Sequence, residues 1–158
     1  MKNFLPLAAA DPWPTWHNQI NSSGRFQVLS QFDSEAVLDK ETGLVWEQAP
    51  DPNTRTWIHA QTHCYIRNVG GRKGWRLPTV EELASLVDPE QTNPALPLNH
   101  PFSNVQLTLA YWSATTSAEL NSNAWHVSFG SGAVGAEVGK AAKLFVWCVR
   151  GGHGYDVR

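Results

Sequence analysis

The chain has 158 residues, a length typical of one domain, and a formal net charge of −2. Apolar residues make up 42% of it and charged residues only 16%, a composition that excludes an intrinsically disordered chain. The near-neutral charge disfavours nucleic-acid binding through bulk electrostatics, and no apolar run approaches the roughly 18 residues of a membrane-spanning helix. Eight Trp residues against one Met indicate a rigid, aromatic-rich protein.

Residues 1–35 are predicted to form an N-terminal extended arm that ends in a first strand over residues 25–30. Residues 1–10 combine one Lys with a short apolar run and three Ala, which resembles a short export signal. We interpret them as an ordered arm or as the remnant of such a signal. Trp13 and Trp16 lie in the arm and are candidates to dock it or to contact a ligand.

A β-hairpin is predicted after the arm. Its strands, residues 36–38 and 44–47, flank a polar turn that ends at Gly43, where a positive φ or close packing is required. Alternation along the second strand places Leu44 and Trp46 on one face.

Two helices are predicted in the middle of the chain. The first begins after Thr54 or Thr56 and runs to about residue 68, before a Gly-Gly stop. The second begins at Thr79, where Thr79-Val80-Glu81-Glu82 fits a capping box. Three side chains of the first helix are expected to face the core: Trp57, Cys64 and Tyr65.

The rest of the chain is predicted to be an irregular stretch, residues 89–110, followed by β-structure. Strands are predicted over residues 111–116, 124–129, 133–138 and 144–150. The last strand is apolar on both faces, which indicates either a central strand or an aromatic face left open for a partner. Phe145 and Trp147 lie on that aromatic face.

The two cysteines, Cys64 and Cys148, are too far apart in sequence for a CxxC redox or zinc pair. Either one disulfide or two buried thiols remain. The low charge and the abundance of Trp, Ser, Asn and Gly are typical of exported proteins and favour the disulfide.

Five short motifs occur in order along residues 36–152 and together resemble the Lcl C-terminal domain family. They are Asp39-x-x-Thr42-Gly43-Leu44-x-Trp46, Gly74-Trp75-Arg76-Leu77-Pro78-Thr79-x-x-Glu82-Leu83, Tyr111-Trp112-Ser113-x-Thr115, Ala124-Trp125-x-Val127-x-Phe129-x-x-Gly132 and Val146-x-Cys148-Val149-Arg150-Gly151-Gly152. Residues 1–35 lie outside this resemblance, and residues 153–158 form a C-terminal tail.

The resemblance implies a C-type lectin-like fold: an α+β domain with two helices, two small antiparallel sheets and chain ends held close together. In that fold a disulfide joins the first helix to the last strand, which implies a Cys64–Cys148 bond here. The best-known relative resembles an adhesin tip that binds sulfated polysaccharide and forms a trimer, and relatives are mostly exported bacterial proteins. The motif residues expected to be structural are Trp75, Arg76, Thr79, Glu82, Trp112 and Trp125, with the Trp residues, Trp46 included, buried.

This chain departs from that relative in charge. A polyanion-binding face would be basic, whereas the net charge is −2, and Trp147 stands where relatives commonly carry a basic residue. An uncharged sugar or a protein partner therefore suits this surface better than a sulfated glycan.

Catalysis and metal binding have weak support in the sequence. The HExxH, GxSxG, P-loop and GxGxxG patterns are absent from it. His59 and His63 have helical i, i+4 spacing but no evident third ligand, and Asp51-Pro52-Asn53 precedes the first helix, the wrong place for a lectin calcium site. Residues 76–79 also resemble the formylglycine-generating enzymes, but the active-site cysteine pair of that group is missing. We expect no enzyme activity, metal or cofactor.

The candidate binding residues are therefore aromatic and amide side chains: Trp147, Phe145, Asn121, Asn123, Trp13 and Trp16. An alternative is that the arm itself covers the Trp147 face. Arg76 is expected to pair with a carboxylate.

The sequence predicts a non-catalytic binding module, exported to the periplasm, the medium or the cell surface, that recognises a glycan or a protein. The alternative is a structural subunit of a surface or phage-like complex that forms a homo-oligomer through its aromatic face. Neither hypothesis involves nucleic acid or a membrane span.

Overall fold

The computed structural model describes residues 22–152. The predicted arm with Trp13 and Trp16, up to residue 21, and the predicted tail over residues 153–158 lie outside the described residues. Within them the chain is an α+β fold with two helices, α1 (Trp57–Ile66) and α2 (Val80–Ala84), and two sheets. No helix in this part of the chain is long and apolar enough to cross a membrane.

The first sheet has four antiparallel strands in the order β1-β2-β3-β9. A helical turn (Ser22–Arg25) precedes it and a 3₁₀ turn (Ser30–Phe32) follows its first strand. The predicted hairpin is confirmed, with Asp39 opposite Leu44 and Gly43 at a φ of 78°. The strands are β1 (Phe26–Val28), β2 (Ala36–Asp39), β3 (Leu44–Glu47) and β9 (Val149–Gly151).

A buried ion pair closes this hairpin against the rest of the fold. The Arg25 guanidinium donates to both Asp39 carboxylate oxygens at 2.8 Å, and also to the Ser85 carbonyl after α2 at 2.9 Å. Asp39 also accepts from the Glu41 N–H and the Thr42 hydroxyl, both at 3.0 Å. The Asp-x-x-Thr-Gly motif is therefore a hydrogen-bonded turn with its carboxylate fully satisfied.

The second sheet has five strands in the order β4-β8-β5-β6-β7. Its pairs are antiparallel except β5 with β8, which run parallel. The expectation of two small antiparallel sheets therefore holds for the first sheet and fails in the second at this one pair of strands. The strands are β4 (Asp51–Arg55), β5 (Tyr111–Thr116), β6 (Asn123–Val127), β7 (Val134–Gly139) and β8 (Leu144–Val146). Strand β4 was not predicted, because its Asp-Pro-Asn start is untypical of strands, although such a start is tolerated at a sheet edge.

The predicted last strand, over residues 144–150, is two strands in different sheets. β8 ends at Val146 and β9 starts at Val149, so Trp147 and Cys148 carry the chain from one sheet to the other. We call these two residues the β8–β9 crossing. The expectation of a central strand is met by β8, which lies between β4 and β5.

The disulfide between Cys64 and Cys148 is confirmed and joins α1 to the β8–β9 crossing. The two Cα atoms are 5.4 Å apart, and both cysteines are completely buried. The bond closes a segment with a sequence separation of 84 residues.

Helix α1 packs through Ala60 and Cys64, which are fully buried, and Trp57, which is half-buried. The expectation that Tyr65 faces the core is wrong, because its side chain is 80% exposed. Tyr65 follows Cys64 by one residue, which turns it about 100° away from the inward face. Helix α2 begins as predicted, with the complete capping box of Thr79 and Glu82.

The five-stranded sheet separates two apolar cores. The core on the α1 side contains the disulfide and the buried Trp75 and Trp112, as predicted for these two residues. The core on the α2 side contains Leu83 and a cluster of aromatic rings around Trp147. Trp46, also predicted to be buried, belongs to this second core.

Replacing both cysteines with Ala should lower the free energy of unfolding by about 2–5 kcal/mol, because the unfolded chain regains the entropy of a long loop. Urea denaturation of the wild type and of the Cys64→Ala, Cys148→Ala double variant measures the difference. Equal midpoints and slopes for the two proteins would contradict a stabilising role for this bond.

Candidate functional site

The predicted binding face around Trp147 is not available to a ligand. Trp147 is fully buried and Phe145 nearly so, which corrects the assignment of these two residues as ligand contacts. Phe102, from the irregular stretch, packs edge-on against the Trp147 ring with centroids 4.9 Å apart. Rings of Trp46, Tyr111 and Phe129 complete the cluster. The cover comes from described residues of the domain itself.

Trp125 on β6 is the motif Trp that remains accessible. It was expected to be buried, but it is half-buried and lies between two surface cavities. One cavity, of about 330 Å³, is lined by Trp125 together with Val80, Glu81, Ala84, Thr115 and Val134. The other, of about 460 Å³, is lined by Ser117, Ala118, Glu119, Leu120, Asn123, Ala136 and Glu137. We call Trp125 and these two cavities the Trp125 surface.

The loop over residues 117–123 forms one wall of the Trp125 surface and is held by its own hydrogen bonds. The Ser117 N–H donates to the Asn123 carbonyl at 3.0 Å, and the Ser117 hydroxyl accepts from the Leu120 N–H at 3.3 Å. The Asn123 side-chain amide donates to the Ala136 carbonyl at 3.2 Å, which fixes its orientation. Asn121 is exposed at the loop tip. Of the two predicted loop residues, Asn123 thus lines the cavity beside Trp125, whereas Asn121 is not among the residues that line it.

Leu120 adds an exposed apolar side chain to the Trp125 surface, and it was not predicted as a site residue. Its side chain is 54% exposed at the rim of the larger cavity. A polar loop with one exposed Leu is a weak signal in sequence, because single exposed apolar residues are common.

A third and larger cavity lies between α1 and the segment that leads into α2. It has a volume of about 630 Å³ and is lined by Gln61, Thr62, Tyr65, Trp75, Arg76, Leu77, Thr79, Glu82 and Ala114. We call it the α1 groove. The exposed Tyr65 lies at its edge. The groove was not predicted as a site, because Tyr65 was assigned to the core.

Arg76 and Glu82 form a two-pronged ion pair in the wall of the α1 groove, which confirms the expected role of Arg76. The Arg76 Nη1 and Nη2 atoms donate to the two Glu82 oxygens at 2.7 and 2.8 Å. Burial by itself raises the pKa of Glu82, but hydrogen bonds from Arg76 and the Thr79 N–H outweigh it and hold the pKa below its usual value. The two charges compensate each other.

The two helical histidines lie in different surroundings. The His63 Nε2 atom is 3.5 Å from the Asp51 carboxylate, and Asp51 also binds Arg55 at 2.7 Å. His59 is exposed, and its Nδ1 atom is 3.1 Å from the Thr56 hydroxyl. Among residues 22–152, no group of three or more His, Cys, Asp or Glu side chains is placed to hold a metal ion.

His63 should make the fold sensitive to mild acid. Burial, followed by the nearby Arg55 and Arg67, lowers the pKa of His63 from 6.5 to about 4. Because the folded state disfavours the charged form, the stabilising contribution is complete above pH 6.5 and is lost as the pH falls towards 4.

Urea denaturation at a series of pH values measures this effect. The His63→Gln variant should lose less stability than the wild type between pH 6.5 and 4, by at most about 3 kcal/mol. Parallel pH profiles for the two proteins would show that His63 is not responsible.

Comparison with known proteins finds a family model that matches most of the chain. A family model described as the Lcl C-terminal domain matches residues 35–150. The matched residues contain α1, α2, both cysteines and the Trp125 surface. No curated protein matches the chain.

Proposed function

This chain belongs to the Lcl C-terminal domain family, and we propose that it is a non-catalytic binding module of an exported bacterial protein, recognising a glycan or a protein at a cell surface. The observation that carries the proposal is the Trp125 surface, an aromatic side chain between two cavities on the five-stranded sheet. Binding sites commonly combine an apolar platform with a few fixed polar groups.

The geometry of the Trp125 surface favours an uncharged or weakly polar ligand. The indole of Trp125 offers a flat face of the kind that stacks on sugar rings or anchors a protein side chain. Asn123 and Ser117 are held in place beside it, and Leu120 extends the apolar rim. The Glu81 and Glu119 side chains that line the two cavities are acidic, which disfavours a sulfated polysaccharide through like-charge repulsion.

We further propose that the fold is C-type lectin-like. The supporting features are the α+β composition, the disulfide from the first of the two helices to the β8–β9 crossing, and the pairing of β3 with β9. That pairing brings an early strand and the final strand of the described residues into one sheet. A scaffold closed in this way leaves loops such as residues 117–123 free to vary in recognition.

A non-catalytic role is supported by how the ionisable side chains are used. Arg25 with Asp39, Arg67 with Glu47, and Arg76 with Glu82 each form ion pairs that join separate elements of the fold. In each pair the two charges compensate each other, including Arg76 and Glu82 in the wall of the α1 groove, so these groups act on the scaffold. Export is supported by the buried disulfide, because such bonds persist mainly in oxidising compartments.

Replacing Trp125 should strongly weaken ligand binding. On a glycan array followed by calorimetry with any sugar that is bound, Trp125→Ala should weaken binding at least about 100-fold, the effect expected of a central aromatic contact. Because Trp125 also packs against the core, Leu120→Ala provides a second variant at the exposed rim and should weaken binding with no loss of stability.

Leu98→Ala, at another exposed Leu outside the cavities, is the matched control and should bind like the wild type. A glycan or protein ligand whose affinity is unchanged in both Trp125→Ala and Leu120→Ala would place recognition elsewhere and overturn this assignment.

The second candidate function is a structural subunit of a surface or phage-like assembly. The aromatic face first expected to mediate such contacts is buried around Trp147. A different observation favours the candidate: the outer face of α1 exposes Ile58, Tyr65 and Ile66.

A further inference from the structure

Helix α1 is apolar on both sides. Its inward side carries Ala60 and Cys64, both fully buried. Its outward side exposes 59% of Ile58, 80% of Tyr65 and 63% of Ile66. The helix also carries four polar residues, so it is not apolar all round, but large apolar side chains left in water forfeit their burial energy. Within residues 22–152, the outer face of α1 therefore presents an exposed apolar surface.

The outer face is a single ridge along the helix. Ile58, Thr62 and Ile66 follow one another at i, i+4 and i+8, so they lie in one row. The Thr62 hydroxyl donates to the Ile58 carbonyl at 3.2 Å. Thr62 can therefore enter a dry contact without leaving its hydroxyl unpaired.

The charges around this ridge are compatible with contact between two identical faces. The ten residues of α1 include no Asp, Glu, Lys or Arg. Arg55 and Arg67, which flank the helix, are held by Asp51 and Glu47 within the same chain. A face that meets its own copy must avoid like-charge repulsion, and this one has no formal charge to repel.

The pattern along the ridge is also symmetric. Ile58 lies four residues before Thr62 and Ile66 lies four residues after it. If two α1 helices pack antiparallel across a two-fold axis beside Thr62, each Ile58 meets the Ile66 of the second copy. An isologous contact requires such self-complementarity, whereas a foreign partner would not.

We propose that a second copy of this chain docks on the outer face of α1, giving a two-fold symmetric dimer with antiparallel α1 helices. Tyr65 and the α1 groove lie beside the ridge, so the contact extends from the helix onto the groove edge. The Trp125 surface is formed by β5, β6, β7, α2 and the 117–123 loop, so it lies on other elements, and dimer formation is independent of the ligand binding proposed above.

Light scattering coupled to gel filtration across a dilution series tests the oligomeric state. The wild type should have the mass of a dimer, and Ile58→Glu combined with Ile66→Glu should raise the dissociation constant at least about 100-fold, because four buried charges are introduced per dimer. Leu98→Glu and Leu120→Glu, at exposed Leu residues on other surfaces, are the controls and should leave the mass unchanged. Circular dichroism checks that the variants fold.

Crosslinking tests the symmetry directly. Thr62→Cys places a thiol on the proposed axis, where two packed helices lie about 8–10 Å apart, within reach of a short bismaleimide. This variant should crosslink to its own copy, whereas Leu120→Cys should not. A monomeric wild type, a trimer, or a dimer that tolerates the two Glu substitutions and fails to crosslink at position 62 would overturn the proposal. Glycan binding by Trp125 would be unaffected by any of these results.

Discussion

The structure depends on the buried carboxylate of Glu47 and the chain that crosses beside it. Glu47 accepts hydrogen bonds from the Cys148 N–H and the Arg67 Nε atom, each at 2.8 Å, while its carbonyl accepts from the Trp147 indole at 2.9 Å. Burial raises the pKa of Glu47 even though Arg67 and the Cys148 N–H oppose that shift. One residue of β3 thus accepts hydrogen bonds from the Trp147 indole and the Cys148 N–H of the β8–β9 crossing, and it also binds the residue that follows α1. The disulfide adds a covalent link at the same place, so both sheets and the first helix meet at one point.

Local chemistry in the sequence predicted the elements whose determinants are themselves local. The hairpin followed from the turn at Gly43, and the start of α2 followed from the Thr79 and Glu82 capping box. The end of the 144–150 strand could not be predicted this way, because the residues at the break bind Glu47, which lies a hundred residues upstream of Trp147. Tyr65 was wrongly assigned to the core. It directly follows the buried Cys64, and one step along a helix turns a side chain by about 100° away from the inward face.

The residues of the candidate site were likewise predicted only where a local sequence pattern determines them. Alternation correctly identified an aromatic face at Phe145 and Trp147, but it could not show that Phe102 covers that face, since Phe102 belongs to a stretch without periodicity. The loop with Asn121 and Asn123 was predicted, whereas the exposure of Trp125 was not. A shift in register between β6 and β7 occurs between Ala124 and His126, directly at Trp125, and such irregularities commonly redirect a side chain. A simple two-residue alternation does not anticipate it.

The complete burial of both sulfur atoms has a kinetic consequence. A small thiol reagent cannot attack Cys64 or Cys148 in the closed domain, because both residues have no solvent-accessible surface. Attack must wait for the α1 core to open, so the rate of reduction at saturating reagent reports how often the native protein opens. The rate of disulfide reduction, followed by mass spectrometry, therefore measures the rate at which the native domain opens, without any denaturant.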